Sequence, residues 1–177
     1  MIMMSEKLIL NSEIISDIIS SNSLQLIEKY QRGGAGKNYF FTPTIAIKLY
    51  NPKITWLDSF KKNISFSFNK SDNLNLFIML RFINQSLVTI YKKQAYNAVN
   101  NVSPFFYEKG DYFYIKCYLP NTRGKYHITS FSNNIEQQFI TPRIGCSYNT
   151  VILDIKNIWE KNNAGFNLEL KETHVHI

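Results

Sequence analysis

The chain has 177 residues, with 20 Lys and Arg against 13 Asp and Glu, a net charge of +7, 45% hydrophobic residues and 15% aromatic ones. That much apolar and aromatic content excludes a disordered tail, and 7 Gly with 5 Pro exclude a collagen-like or Gly/Pro-rich chain. What remains is one compact, mildly basic, Tyr-rich domain with room for a short appendage.

Residues 12–30 are predicted to be helical. Ser12 is a candidate N-cap, and Ile14, Ile15, Ile18 and Ile19 follow at helical spacing, with Ser20 to Ser23 as a break before Leu24 to Tyr30. Residues 1–31 carry a charge of −2 and read as an N-terminal helical appendage; residues 32–177 read as the main domain. Arg32-Gly33-Gly34-Ala35-Gly36-Lys37 superficially resembles a phosphate loop. Gln31 stands where that loop needs its first Gly, and Asn38 replaces the hydroxyl that would ligand magnesium. A linker into the next strand is the better reading.

Residues 38–50 alternate as a strand, with an irregularity at Pro43 and with Lys48 and Tyr50 on the face opposite Ile45, Ile47 and Leu49. Trp56 lies in an apparent loop near Lys53, Lys61 and Lys62, which makes it a stacking candidate. Ile64 to Phe68 is a short strand. Ser71 or Asp72 would cap a helix over about 73–97, with Leu74, Phe77, Ile78, Phe82 and Leu87 as its apolar positions. Arg81, Asn84 and Gln85 make its apolar run too polar to span a membrane.

The second half changes to a two-residue period. Tyr112 to Leu119, Lys125 to Phe131, Thr150 to Trp159 and Phe166 to Glu172 fit strands, with hairpin-type loops at Pro120–Gly124 and Lys161–Gly165. The predicted fold class is mostly β with helices (α+β). Its predicted form is an oligonucleotide-binding-like antiparallel β-barrel with an inserted helix.

The segment from Asp111 to Leu119 carries the sharpest pattern. Residues two apart share a strand face. Phe113, Ile115, Cys117 and Leu119 then form a core set, while Tyr112, Tyr114, Lys116 and Tyr118 form the other side. Such a side suits single-stranded nucleic acid: rings stack on bases at about 1–3 kcal/mol each, and lysine meets the backbone. The opposing reading is that tyrosines simply favour strands. Arg123 and Lys125 follow in the next loop. Residues 32–125 hold 14 Lys and Arg against Asp58, Asp72, Glu108 and Asp111, so the basic excess is concentrated there.

Other chemistry is weakly represented. Cys117 and Cys146 form no C-x-x-C pair and read as buried free thiols. Alternation with Val151, Leu153 and Ile155 favours the core for Trp159. His174 and His176 lack further ligands at metal-site spacing. No nucleophile elbow, triad order or carboxylate pair stands out. The expectation is a non-enzymatic protein with no metal or cofactor. The start of the chain does not read as a signal peptide, which points to an intracellular, cytoplasmic setting and no membrane partner.

The segment Ile144-Gly145-Cys146-Ser147-Tyr148-Asn149 through Trp159-Glu160-Lys161-Asn162-Asn163-Ala164-Gly165 to Leu170 resembles the closing hairpin of single-stranded DNA-binding proteins from large cytoplasmic DNA viruses and cytoplasmic linear plasmids. The resemblance covers roughly the last thirty residues, mainly 144–170, with a looser match in strand order from residue 38. It implies an oligonucleotide-binding barrel, sequence-independent binding of single-stranded DNA, and a role in replication, recombination or repair. Many proteins of that family end in an acidic tail that recruits partners; the last residues here read Lys171-Glu172-Thr173-His174-Val175-His176-Ile177, so tail-mediated recruitment is not expected.

The candidate nucleic-acid-binding residues are therefore Lys48, Tyr50, Lys53, Trp56, Lys61, Lys62, Tyr112, Tyr114, Lys116, Tyr118, Arg123 and Lys125. RNA as ligand and a homo-oligomeric state stay open. The alternative is a structural or interaction protein, such as a virion component or assembly subunit, using the Tyr-rich face against a protein.

Overall fold

A computed structural model describes residues 7–33 and 36–177. Met1–Glu6, the start of the expected appendage, and Gly34-Ala35 of the Gly-rich stretch lie outside the described residues. The elements in chain order are β1 (Leu8–Ile9), α1 (Ser12–Ser21), β2 (Gln25–Tyr30), β3 (Lys37–Tyr50), β4 (Lys53–Leu57), β5 (Asn63–Asn69) and α2 (Leu74–Gln94). Then follow β6 (Tyr107–Lys109), β7 (Tyr112–Tyr118), β8 (Asn121–Thr122), β9 (Lys125–Tyr126), β10 (Thr129–Ser132), β11 (Ile135–Gln137), β12 (Thr150–Glu160) and β13 (Ala164–Val175). The fold is mostly β with two helices among the described residues.

Hydrogen bonding orders the main sheet β1-β3-β12-β13-β7-β5-β4. Among the described residues no pairing joins β4 back to β1, so no closed barrel is found. Nor is the sheet purely antiparallel: β1–β3, β10–β13 and β13–β7 pair in parallel. The expected strand over 125–131 is two strands in different sheets, because β9 pairs with β8 while β10 pairs with β11 and β13.

The chain divides into two compact units. One holds residues up to Ala46, Asn75–Phe105 and Ile155–Asn167; the other holds Ile47–Leu74, Phe106–Asp154 and Leu168–Ile177. In the first, α1 is shorter than expected. Its N-cap is Asn11, not Ser12: the Asn11 side chain accepts from the Ile14 N–H at 2.8 Å. Asn22 ends it in the left-handed region at φ 52°. Residues 25–30 then pair antiparallel with β3, correcting the predicted second helical stretch. Five of the six residues in β2 are exposed, so burial leaves no apolar period there to read. Gln94 at the end of α2 closes part of this strand's outer edge. Its amide donates to the Leu24 carbonyl at 2.7 Å and accepts from the Leu26 N–H at 2.8 Å.

Gly36 has a packing reason that needs no phosphate, since a Cβ there would stand 2.7 Å from the Glu160 carbonyl oxygen. Trp159 is half-buried rather than fully core. The α2 helix buries Phe77, Leu80, Ile83, Leu87, Ile90 and Tyr91, whereas Leu74, Ile78 and Phe82 are exposed, contrary to the expected apolar face. By length and composition alone α2 could cross a membrane, so its polar residues do not exclude it on that count. A buried face of this kind also belongs to an ordinary core helix.

The core of this unit contains a polar cluster. The Tyr91 hydroxyl donates to the Glu160 carboxylate and accepts from the Val99 N–H. Tyr39 packs edge-on against Tyr91, with ring centroids 5.4 Å apart. Burial pushes the Tyr39 phenol from its ordinary 10.0 to about 12. Burial, and then the bond to Glu160, raises Tyr91 as well. Phenols held neutral by the fold contribute stability that is complete below their ordinary value and is lost as pH rises through the folded value. Denaturation midpoints are therefore expected to fall as pH climbs from about 10 to about 12; a flat profile across that window would contradict the burial of these phenols.

Candidate nucleic-acid interface

In the second unit, β4, β5, β7 and β6 form an antiparallel ribbon. β5 and β7 pair as Asn63↔Tyr118, Ile64↔Cys117, Ser65↔Lys116, Phe66↔Ile115, Ser67↔Tyr114, Phe68↔Phe113 and Asn69↔Tyr112. Alternation then sorts the two faces. Ile64, Phe66, Phe68, Phe113, Ile115 and Cys117 are all buried on one of them. Phe68 and Phe113 stack there with centroids 5.0 Å apart, and Tyr148 sets its edge against Phe66. That packing fixes the register, because a slip by one residue would turn the aromatic core to solvent.

The opposite face carries Tyr112, Tyr114, Lys116 and Tyr118 over small residues of β5. Ser65 and Ser67 form its floor and are buried. β4 adds Lys53 opposite Ser67 and Trp56 opposite Ser65. The expected loop at Trp56 is therefore a strand. Its register shifts between Ile54 and Trp56. This irregularity lets Ile54 enter the core beside Phe66 while Trp56 faces outward beside Ser65. On the other edge, β6 places Tyr107 opposite Tyr114 and Lys109 opposite Tyr112.

The side chains meet across these rows. The Lys116 ammonium lies 4.9 Å from the centre of the Trp56 ring, a cation–π contact worth about 0.5–1 kcal/mol at an exposed site. Tyr107 and Tyr114 stack with centroids 5.0 Å apart and planes 11° from parallel. Tyr112 is 6.4 Å from Tyr114. Thr55, Trp56, Ser65, Tyr107, Tyr114 and Lys116 line an open cleft of about 480 Å³. The Ser65 hydroxyl in its floor is buried with no hydrogen-bond partner among the described residues. Trp56 is 41% exposed, Tyr107 50%, Tyr112 45% and Tyr118 38%, so each of these rings keeps surface open to solvent.

Beyond Tyr118 lies a basic end. The β4–β5 loop is braced by Asp58, whose carboxylate accepts from the Lys62 N–H at 2.6 Å and the Asn63 amide at 2.9 Å. The Asn63 hydrogen bond, more than any other group, holds that carboxyl below its ordinary range; the Lys116 charge also contributes. The Lys62 carbonyl accepts from Leu119 N–H, and the Lys61 carbonyl accepts from the Tyr126 hydroxyl at 3.1 Å. Tyr126 belongs to the β8–β9 hairpin, whose turn is Arg123 and Gly124, both at positive φ. Lys61, Lys62, Arg123 and Lys125 thus occupy neighbouring segments, and all four are exposed.

Of the twelve residues expected from the sequence, the structure brings Lys53, Trp56, Tyr112, Tyr114, Lys116 and Tyr118 onto one face. It places Lys61, Lys62, Arg123 and Lys125 on the two linked segments at its end. Lys48 and Tyr50 lie on a different strand, β3, whose neighbours are β1, β2 and β12, and they pair with each other, ammonium to ring centre 5.3 Å. Tyr107 was not among the expected residues. The Gly110-Asp111 pair could have found it, since a Gly with positive φ at the first turn position marks a two-residue hairpin; Gly110 has φ 58°. Of the two free thiols expected to be buried, Cys117 is buried and Cys146 is exposed. Among the described residues no group of His, Cys, Asp and Glu is arranged to hold a metal ion.

No family model matches the chain, and no curated protein matches it. Among solved structures it is similar to the single-stranded DNA-binding protein of bacteriophage Enc34 in complex with ssDNA, at TM-score 0.49 and 13% identity, over 85% of this chain and 94% of that one. A C-terminal truncation of the same phage protein gives 0.48, 13%, 85% and 94%. A further structure of that protein gives 0.48, 13%, 85% and 88%. At such identity and TM-score the likeness leaves function to be decided by the chemistry of the face itself.

Proposed function

We propose that this chain binds single-stranded DNA along the β4-β5-β7-β6 face, without reading base sequence. The observation that carries the reading is the sorting of this ribbon into a closed aromatic core and an open face of Trp and Tyr rings interleaved with lysines. Rings accept any base by stacking, and lysines follow the phosphates. In the bound state the Lys116 ammonium leaves the Trp56 ring for a phosphate, and a base takes its place on the indole. The role is one of binding rather than catalysis, in replication, recombination or repair of viral or plasmid DNA in the cytoplasm. An oligonucleotide-binding-like sheet is the scaffold this reading assumes.

The test is a fluorescence titration of a labelled oligothymidine at several salt concentrations. About four neutralised phosphates on a single strand give a slope near −0.7 per phosphate, roughly a 50-fold loss of affinity over a fourfold rise in salt. No binding at low salt would refute the proposal. The same titration with an RNA of matched sequence separates the two ligands. A mass that doubles in solution while DNA binding is absent would favour the protein-interface alternative.

A further inference from the structure

The β4–β5 loop presents Phe60, which is 80% exposed. A Phe ring in water has no local reason to be held there, yet the loop around it is fixed. Lys61 adopts a left-handed backbone at φ 54°, its N–H donates to the Asp58 carbonyl at 2.9 Å, and its own carbonyl is held by Tyr126. The ring therefore projects from a braced turn. It stands beside Lys61 and Lys62, next to the Arg123–Lys125 hairpin, at the Tyr118 end of the aromatic face. An exposed ring beside cations, on the loop that leads into Asn63 opposite Tyr118, has the make-up of a stacking position for nucleic acid.

We propose that Phe60 is a terminal base-stacking residue that extends the track beyond Tyr118, with the phosphates of that segment held by Lys61, Lys62, Arg123 and Lys125. The proposal rests on the single-strand reading above. From Tyr112 to Tyr118 the strand advances roughly 20 Å, enough for only a few nucleotides. A short oligonucleotide fills the face alone; a longer one reaches the loop.

The experiment compares the unaltered protein with Phe60→Ala and Phe60→Trp on oligothymidines of about 4 and about 12 nucleotides, lengths that bracket common site sizes. Phe60→Ala is expected to weaken binding of the longer strand roughly 5- to 100-fold while leaving the shorter unchanged, as the loss of one stacked base predicts. Phe60→Trp is expected to restore the longer strand. Because the ring is exposed, the melting temperature of both variants should match that of the parent. Equal affinity of Phe60→Ala and parent for both lengths overturns this assignment alone. An equal loss on both lengths overturns the terminal placement. A parent that self-associates through Phe60, with sedimentation changed by Phe60→Ala and DNA binding untouched, assigns the ring to a protein contact and overturns the proposal. Absence of binding by the parent at either length refutes the single-strand reading along with it.

Discussion

Replacing Trp56 and Tyr114 together by alanine is expected to cost about 2–6 kcal/mol of single-strand affinity, with little change in folding stability. The two rings line the same cleft from opposite edges of β5. Each offers a stacking surface, and neither belongs to the buried face that holds the ribbon together. The single variants are not expected to add simply. Removing Trp56 frees Lys116 from its cation–π contact, and removing Tyr114 takes away the ring on which Tyr107 stacks, so groups with shared partners are altered. Isothermal titration with both singles and the double gives the coupling. A double variant that folds and binds as the parent does would remove this face from consideration.

The largest expected stability effect is in the other unit. Tyr91→Phe deletes the hydroxyl that donates to the buried Glu160 carboxylate and accepts from Val99 N–H. Hydrogen bonds to charged groups are worth about 1.5–3 kcal/mol, and a buried partner left unsatisfied adds its desolvation cost, so a loss of about 2–4 kcal/mol is expected from urea denaturation. Combining it with Glu160→Leu is expected to recover part of that loss, because the carboxylate that needed the hydroxyl is gone. A double variant less stable than Tyr91→Phe would show that Glu160 contributes through other contacts.

The β7 face was legible in the sequence because its period of two is unbroken from Tyr112 to Leu119, and burial follows it residue by residue. β5 was legible from its alternation of Ile64, Phe66 and Phe68 with Ser65 and Ser67, although its burial does not alternate, since both serines are buried too. Trp56 was chosen as a ring in a loop, and it stands exposed on a strand. Ile54 and Trp56 are two apart and by simple alternation share a face, yet the irregularity at Thr55 puts them on opposite ones. Such a shift depends on the partner strand and leaves no mark in composition. β2 was lost to helix because an edge strand exposed on both faces keeps no apolar rhythm. Lys48 and Tyr50 were grouped with the Tyr-rich strand by resemblance of pattern, and topology assigned their strand other neighbours. Tyr107 and Phe60 are placed by position, one by a hairpin and one by a braced loop, rather than by a periodic motif.

The Gln94 amide has a bearing on behaviour in a crowd. An uncovered strand edge is a template on which another chain can extend the sheet, the route by which β-rich proteins grow into fibres. By bonding to Leu24 and Leu26 as a neighbouring strand would, this one side chain blunts the start of β2 without adding a charge or a proline. Closing part of an edge from within lowers the tendency of β2 to recruit a foreign strand, and so favours the separate folded chain over strand-by-strand growth.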